Sequence, residues 1–130
     1  MRRRDPQHVD ARMMGRIRAL LAKAESTEFP EEAEALTAKA QHLMTRYAID
    51  SAVLGAGAGG SPADDVRARR MHVEQPYADT KAQLLTVVAK ANGVRSVWHD
   101  EVGMATVVGL PVDLELTELM FTSLLVQPGR

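Results

Sequence analysis

Apolar side chains recur every three or four residues over the first fifty positions, and this spacing predicts two helices. The first is expected over residues 6–25, with Asp5 as its N-cap and Pro6 in its first turn. The second is expected to run from Pro30 to about residue 49. Because a short turn joins them, the two helices should lie antiparallel with their apolar faces together. The expected contact comprises Ile17, Leu20, Leu21, Leu36, Leu43 and Met44.

A segment rich in glycine and alanine follows, and it marks the clearest boundary in the chain. Residues 55–65 begin Gly-Ala-Gly-Ala-Gly-Gly-Ser-Pro, a composition typical of a flexible linker. We therefore expect a helical hairpin domain over residues 1–54 and a separate domain over residues 66–130.

Beyond the linker, the pattern changes to short runs of β-branched residues that alternate with helical spacing. Strands are predicted over residues 66–74, 94–98 and 104–109, and helices over about 76–92 and 113–127. The second and third strands are close enough to form a hairpin through Gly103. The predicted fold class is α+β, with an N-terminal antiparallel helical hairpin followed by a small β-α-β-β-α unit.

Charge adds a second pattern, because its distribution is uneven although the net charge is only −1. Seven Lys and Arg residues stand against two Asp before Glu25, whereas residues 25–36 hold five Glu and no basic residue. Two interpretations follow. The oppositely charged helices pair with each other, or the basic surface binds an acidic partner such as nucleic acid.

Composition narrows the class of protein and its compartment. The chain has no cysteine, which excludes disulfides, thiolate catalysis and cysteine-based zinc sites. It has neither an apolar run long enough to span a membrane nor the apolar stretch of a signal peptide. We expect a cytoplasmic protein that does not enter membranes.

No catalytic or nucleotide-binding motif is present, and the residues indicate neither a cofactor nor a metal. The most reactive-looking run is His99-Asp100-Glu101, but neighbouring side chains on an extended backbone point apart. An enzyme, or the remnant of one, would need two or more of its candidate acid–base groups to face one pocket, the candidates being His72, His99, Asp100 and Asp113. That alternative stays open beside a non-catalytic interaction module and a hairpin that forms oligomers through its apolar faces.

The basic clusters are the best candidates for contact with a partner. Lys and Arg suit phosphates. However, the sequence pI of about 6.4 is lower than that of typical nucleic-acid-binding proteins, and few aromatic residues are available to stack on bases. The sequence therefore favours a non-catalytic module that binds a protein or a nucleic acid, with electrostatic and sequence-tolerant contacts. The candidate nucleic-acid contacts are Arg12, Arg16, Lys23, Arg67, Arg69 and Arg70.

Part of the hairpin resembles a known family. The pattern Leu43-Met44-x-x-Tyr47-x-Ile49-Asp50, after an alanine-rich helix, is similar to that of the domain of unknown function 2786, found in bacteria and phages. The resemblance covers about residues 16–50. It implies the hairpin arrangement and an association with phages or mobile elements, but no activity and no catalytic residue.

The second half also looks like the extension that accompanies this hairpin in longer members. The matching features are Pro76-Tyr77, Lys81, Ala91-Asn92, Val108-Gly109-Leu110-Pro111 and Asp113. Similar chains continue into a further helical segment rich in arginine and aromatic residues. The resemblance therefore implies a chain shortened at its C-terminus.

Overall fold

The computed structural model describes residues 6–57 and 65–128. Within them the chain is α+β, as predicted. The helices are α1 (Pro6–Ser26), α2 (Pro30–Gly57), α3 (Ala78–Ala91) and α4 (Pro111–Val126). The strands are β1 (Arg67–His72), β2 (Arg95–His99) and β3 (Met104–Gly109). Two compact units result, one of residues up to Asp50 and from Thr122 onward, the other of Ser51–Phe121.

The first unit contains the helical hairpin. A three-residue turn between α1 and α2 is held by backbone hydrogen bonds from Thr27 N–H to the Lys23 carbonyl and from Ala33 N–H to the Phe29 carbonyl, both 3.0 Å. Of the six predicted contact residues, four are buried and two, Leu20 and Leu36, are half-buried. Alanines make up much of the remaining core, since Ala24, Ala33 and Ala40 are all buried. The buried residues of the hairpin are Ile17, Leu21, Ala24, Ala33, Ala40, Leu43, Met44 and Tyr47.

The second helix is longer than predicted. It continues to Gly57, so the first three residues of the predicted linker are helical. Residues 50–54 include no proline or glycine, and nothing in their chemistry stops a helix that has already formed. Residues 58–64, the rest of the predicted linker apart from Asp65, lie outside the described residues, as do Asp5 and the Arg2-Arg3-Arg4 run.

The end of α4 completes the first unit through polar contacts. The Ser123 hydroxyl donates a hydrogen bond to the Glu25 carboxylate at 2.7 Å, and the Gln127 amide donates to the Thr37 hydroxyl at 3.0 Å. The donors Ser123 and Gln127 are only 3% and 4% exposed, whereas the acceptors Glu25 and Thr37 are half-buried. These contacts tie both hairpin helices to residues that the sequence pattern assigned to the second domain.

The second unit is built around a three-stranded antiparallel sheet with the order β1-β3-β2. Ala105 and Val107 of the central strand are buried, whereas Met104, Thr106 and Val108 are half-buried. Because side chains alternate along a strand, these two sets lie on opposite faces of the sheet. Residues paired across antiparallel strands share a face, so the register assigns every side chain of the sheet to one face or the other.

The helices cover the face that carries Ala105 and Val107. On that face Ser96 donates to the Thr86 hydroxyl at 3.1 Å, and Trp98 Nε1 donates to Asp79 at 3.2 Å, which places α3 there. An ion pair between Arg69 and Glu118 places α4 on the same side. We call the opposite side the open face. Its nine residues, none of them buried, are Ala68, Arg70, His72, Arg95, Val97, His99, Met104, Thr106 and Val108.

A tight connection joins β2 to β3, as the predicted hairpin requires. One turn of 3-10 helix, Asp100–Val102, leads to Gly103. Gly103 has a φ of 64°, a left-handed conformation that costs little only for glycine. Its carbonyl accepts a hydrogen bond from Val73 N–H at 3.0 Å, so the turn is also attached to the residue that follows β1.

No helix within the part of the chain that the structure describes has the length and apolar character needed to cross a membrane.

The burial of Leu21 provides a test of the hairpin. Leu21 is 1% exposed, so Leu21→Ala should leave a cavity and lower the free energy of unfolding by about 2–5 kcal/mol. Leu54→Ala is the matched control, because Leu54 is 49% exposed and its truncation should change stability far less. Urea denaturation of the full chain measures both. Equal effects of the two substitutions would contradict the hairpin core.

Candidate nucleic-acid interface

One flank of α1 carries three of the predicted contact residues. Arg12, Arg16 and Lys23, here called the cation stripe, are all exposed. They are four and seven residues apart, so they fall on one side of the helix, away from buried Ile17 and Leu21. At 1.5 Å per residue the stripe is about 16 Å long. This is the axial rise of about five base pairs of duplex DNA.

The cation stripe lacks the ion pairs that the charge pattern suggested. Among the described residues, Arg12, Arg16 and Lys23 form no ion pair with Glu25, Glu28, Glu31 or Glu32. Glu25 instead accepts the hydrogen bond from Ser123. The three cations therefore keep their charges available to a partner.

Small side chains flank the stripe. A neighbouring line of exposed residues on α1 holds no side chain larger than a methyl group, and it consists of Ala11, Gly15, Ala19 and Ala22. A Cβ built on Gly15 would meet no heavy atom within 4 Å, so the structure leaves open space there. A partner therefore has room to approach the helix backbone at Gly15, beside the cations.

The three arginines of β1 do not act as one cluster, because alternation divides them. Arg67 and Arg69 lie on the helix-covered face and Arg70 lies on the open face. Arg69 is bound to Glu118, with 44% and 48% of the two side chains exposed, so the pair contributes at most about 1 kcal/mol. The Arg67 guanidinium donates to the Val66 carbonyl at 3.3 Å. Of the three, Arg70 is the one placed beside the polar residues described next.

A depression lies at one end of the open face, where β2 turns into β3. Its walls combine cationic, anionic and apolar groups, and its volume is about 610 Å³. On its floor, His99 Nε2 and the Thr106 hydroxyl are hydrogen-bonded at 3.1 Å. The lining residues are Arg70, Trp98, His99, Asp100, Glu101, Val102, Met104 and Thr106.

The depression brings together two of the four candidate acid–base residues, the smallest number that an enzyme would need. His99 and Asp100 line it together, and His72 lies on the same face, in the row that passes through Met104 to His99. Asp113 is not among the lining residues. It lies in the first turn of α4, where its carboxylate is near Gly93, and burial raises the pKa of Asp113 above its ordinary value. Among the described residues, no three His, Asp or Glu side chains are grouped to hold a metal ion.

The sequence pattern does not indicate a functional role for two residues of the open face, Arg95 and Thr106. It predicts only that Arg95 lies in the second strand and that Thr106 lies in the third. The available signal was the alternation of Arg95, Val97 and His99, which places all three on one face of β2. Sequence alone could not reveal that β3 lies between β2 and β1.

The fold and these surfaces define the class of protein: a small α+β protein with a helical hairpin and an uncovered sheet face. Residues 12–51 match the model of a family described as protein of unknown function, DUF2786, which confirms the resemblance over the hairpin. The second half of the chain lies outside this match. No curated protein and no solved structure was found to match the chain.

The pKa of Asp113 gives a prediction about pH. The folded chain retains the Asp113 proton to a higher pH than the unfolded chain does, so this residue makes stability fall as pH rises from the ordinary value of 3.8 through the raised pKa. Asp113→Asn removes that titration. The stability of the variant relative to the unmodified chain should therefore be higher at neutral pH than near the ordinary pKa of an aspartate.

Urea denaturation at both pH values measures the change, with Asp65→Asn at an exposed site as the control. A stability difference between Asp113→Asn and the unmodified chain that is the same at the two pH values would contradict the burial of this carboxyl.

Proposed function

We propose that this chain is a non-catalytic module that binds nucleic acid through the cation stripe of α1. The observation that carries the proposal is the exposure of Arg12, Arg16 and Lys23 along one flank without ion pairs to described residues. A phosphate backbone offers the regular negative charge that such a row attracts, and binding releases its condensed counterions.

Shape supports the proposal as well as charge. The alanine and glycine line beside the stripe lets the sugar-phosphate surface come close to α1. The stripe offers no apolar anchor of the kind that dominates protein–protein interfaces, since aromatic and large aliphatic side chains are absent from this flank. A charged, small-residue surface of this kind favours a nucleic acid over a protein partner.

The contacts on α1 are expected to be independent of base sequence. Lys and Arg on phosphates determine position and affinity, but they carry no information about base identity. The acidic segment at residues 25–34 repels nucleic acid from the rest of the hairpin, because its glutamates and the phosphates are both negatively charged. On the hairpin, contact should therefore be confined to the stripe.

A cytoplasmic location fits this proposal, because nucleic acid is accessible there. The association with phages or mobile elements that the family resemblance implied fits it for the same reason.

The proposal predicts how binding depends on salt. In the triple variant Arg12→Gln, Arg16→Gln, Lys23→Gln, affinity for duplex DNA should fall, and the slope of log affinity against log salt should decrease by about one for each contact removed. Thermal unfolding should be nearly unchanged, because the three side chains are exposed and unpaired among the described residues. Fluorescence anisotropy over a salt series measures the binding.

The matched control removes three other exposed cations, with Lys39→Gln, Arg46→Gln and Lys90→Gln. It changes net charge by the same amount but leaves the stripe intact. If the control weakened binding as much as the stripe variant, or if the stripe variant lost stability without losing affinity, the proposal would be wrong.

A further inference from the structure

The open face of the sheet carries basic residues and no acidic ones, although the net charge of the whole chain is −1. Among its nine residues are Arg70, Arg95, His72 and His99, and none is an aspartate or glutamate. Neither arginine forms an ion pair with another described residue. Arg70 and Arg95 lie on the two outer strands and two rows apart, so their Cα atoms are about 12 Å from each other. Their flexible side chains can reach two phosphates of one strand.

The centre of the open face is less polar than its edges. Val97 is 53% exposed, and it lies next to Thr106, with Met104 and Val108 on either side of Thr106 along the central strand. Such a surface offers van der Waals contact without requiring fixed hydrogen-bond partners. Bases that lie across it would be held between the two arginines by contact with their faces and edges.

The depression at the end of this face has features that suit one base. The His99 ring offers aromatic surface, and Met104 offers a polarizable side chain. Asp100 and Glu101 supply carboxylates, which repel phosphate but accept hydrogen bonds from the exocyclic amino groups of bases. The distribution of charge therefore favours a base in the depression and phosphates near the arginines.

Geometry selects a single strand over a duplex. The outer strands of this sheet are about 10 Å apart before side chains are counted, whereas the major groove, about 12 Å wide, admits a helix or a two-stranded ribbon. Bases in a duplex are also stacked and paired, so their faces are covered and their amino groups lie inside the grooves. An unpaired strand presents both.

The geometry points to the open face as a binding surface for single-stranded nucleic acid, in which Arg70 and Arg95 contact phosphates and the depression receives a base that bears an exocyclic amino group. This inference deepens the proposed function, because it adds a base-contacting surface in the second unit to the electrostatic stripe of the first. It differs from that function in requiring base preference, which the cation stripe cannot supply.

Binding of labelled oligodeoxycytidylate and oligodeoxythymidylate, each of about twelve nucleotides, tests the inference with the full chain. Cytosine has an amino group at the edge where thymine has a carbonyl oxygen, so the unmodified chain should prefer the cytosine strand. Arg70→Gln with Arg95→Gln removes two single-strand contacts. Affinity for both strands should fall about 25-fold at about 0.1 M salt, and the salt slope should decrease by about 1.4.

Asp100→Ala with Glu101→Ala tests the depression separately. Loss of the carboxylates should abolish the preference for cytosine over thymine without weakening binding to thymine, since two negative charges are removed. Lys90→Gln is the control outside the open face and should leave both affinities and the preference unchanged. Thermal unfolding of each variant shows whether the fold is intact.

The outcomes separate this inference from the proposed function. Equal affinity for the two strands, or Arg70→Gln with Arg95→Gln binding as well as the unmodified chain, would overturn the inference. The triple variant of the cation stripe would still test the proposed function, because that function predicts a loss of affinity for duplex DNA in this variant. Equal binding of polyglutamate would also overturn the inference, because the open face would then accept any polyanion.

Discussion

Alternation along β3 is the constraint on which the second unit depends. Ala105 and Val107 are buried beneath the helices, and this fixes Met104, Thr106 and Val108 on the other side. The register with β1 and β2 then assigns Arg70, His72, Arg95 and His99 to that side too. A slip of one residue would move the arginines under the helices and bring buried apolar side chains to the surface, which is why the register is strongly specified.

The first unit uses the helical period in the same way. Burial of Ile17, Leu21 and Ala24 orients α1, and the cation stripe is the flank left opposite them. Polar contacts from Ser123 and Gln127 complete this unit without using the basic residues. In both units the core determines which charged side chains remain available, so each candidate surface is a consequence of packing on the opposite side.

Local patterns were sufficient to predict much of this fold. The third strand was predicted at 104–109 and is found at Met104–Gly109, and the hairpin core was predicted from spacing alone. Helix α3 begins at Ala78 rather than near Pro76, because Tyr77 has a left-handed backbone with φ of 63°. No pattern in the sequence predicts a left-handed backbone conformation at a tyrosine.

Contacts between residues far apart in the chain could not be predicted from the sequence. The order β1-β3-β2 brings Arg70 and Arg95 to one face although 25 positions separate them in the chain. The ion pair of Arg69 with Glu118 likewise joins residues 49 positions apart, and it removes from the candidate interface a residue that charge alone had included. Charge clusters along a chain become surfaces only when strand order and face are known.

An NMR titration of the full chain with oligodeoxycytidylate would show whether the open face contacts an unpaired strand. If it does, the backbone amide shifts of Arg70, Val97 and Thr106 on the open face should move as strand is added, while those of buried Leu85 and Val88 in α3 should change little. Shift changes confined to α1, with the open-face amides unmoved at saturation, would contradict the inference.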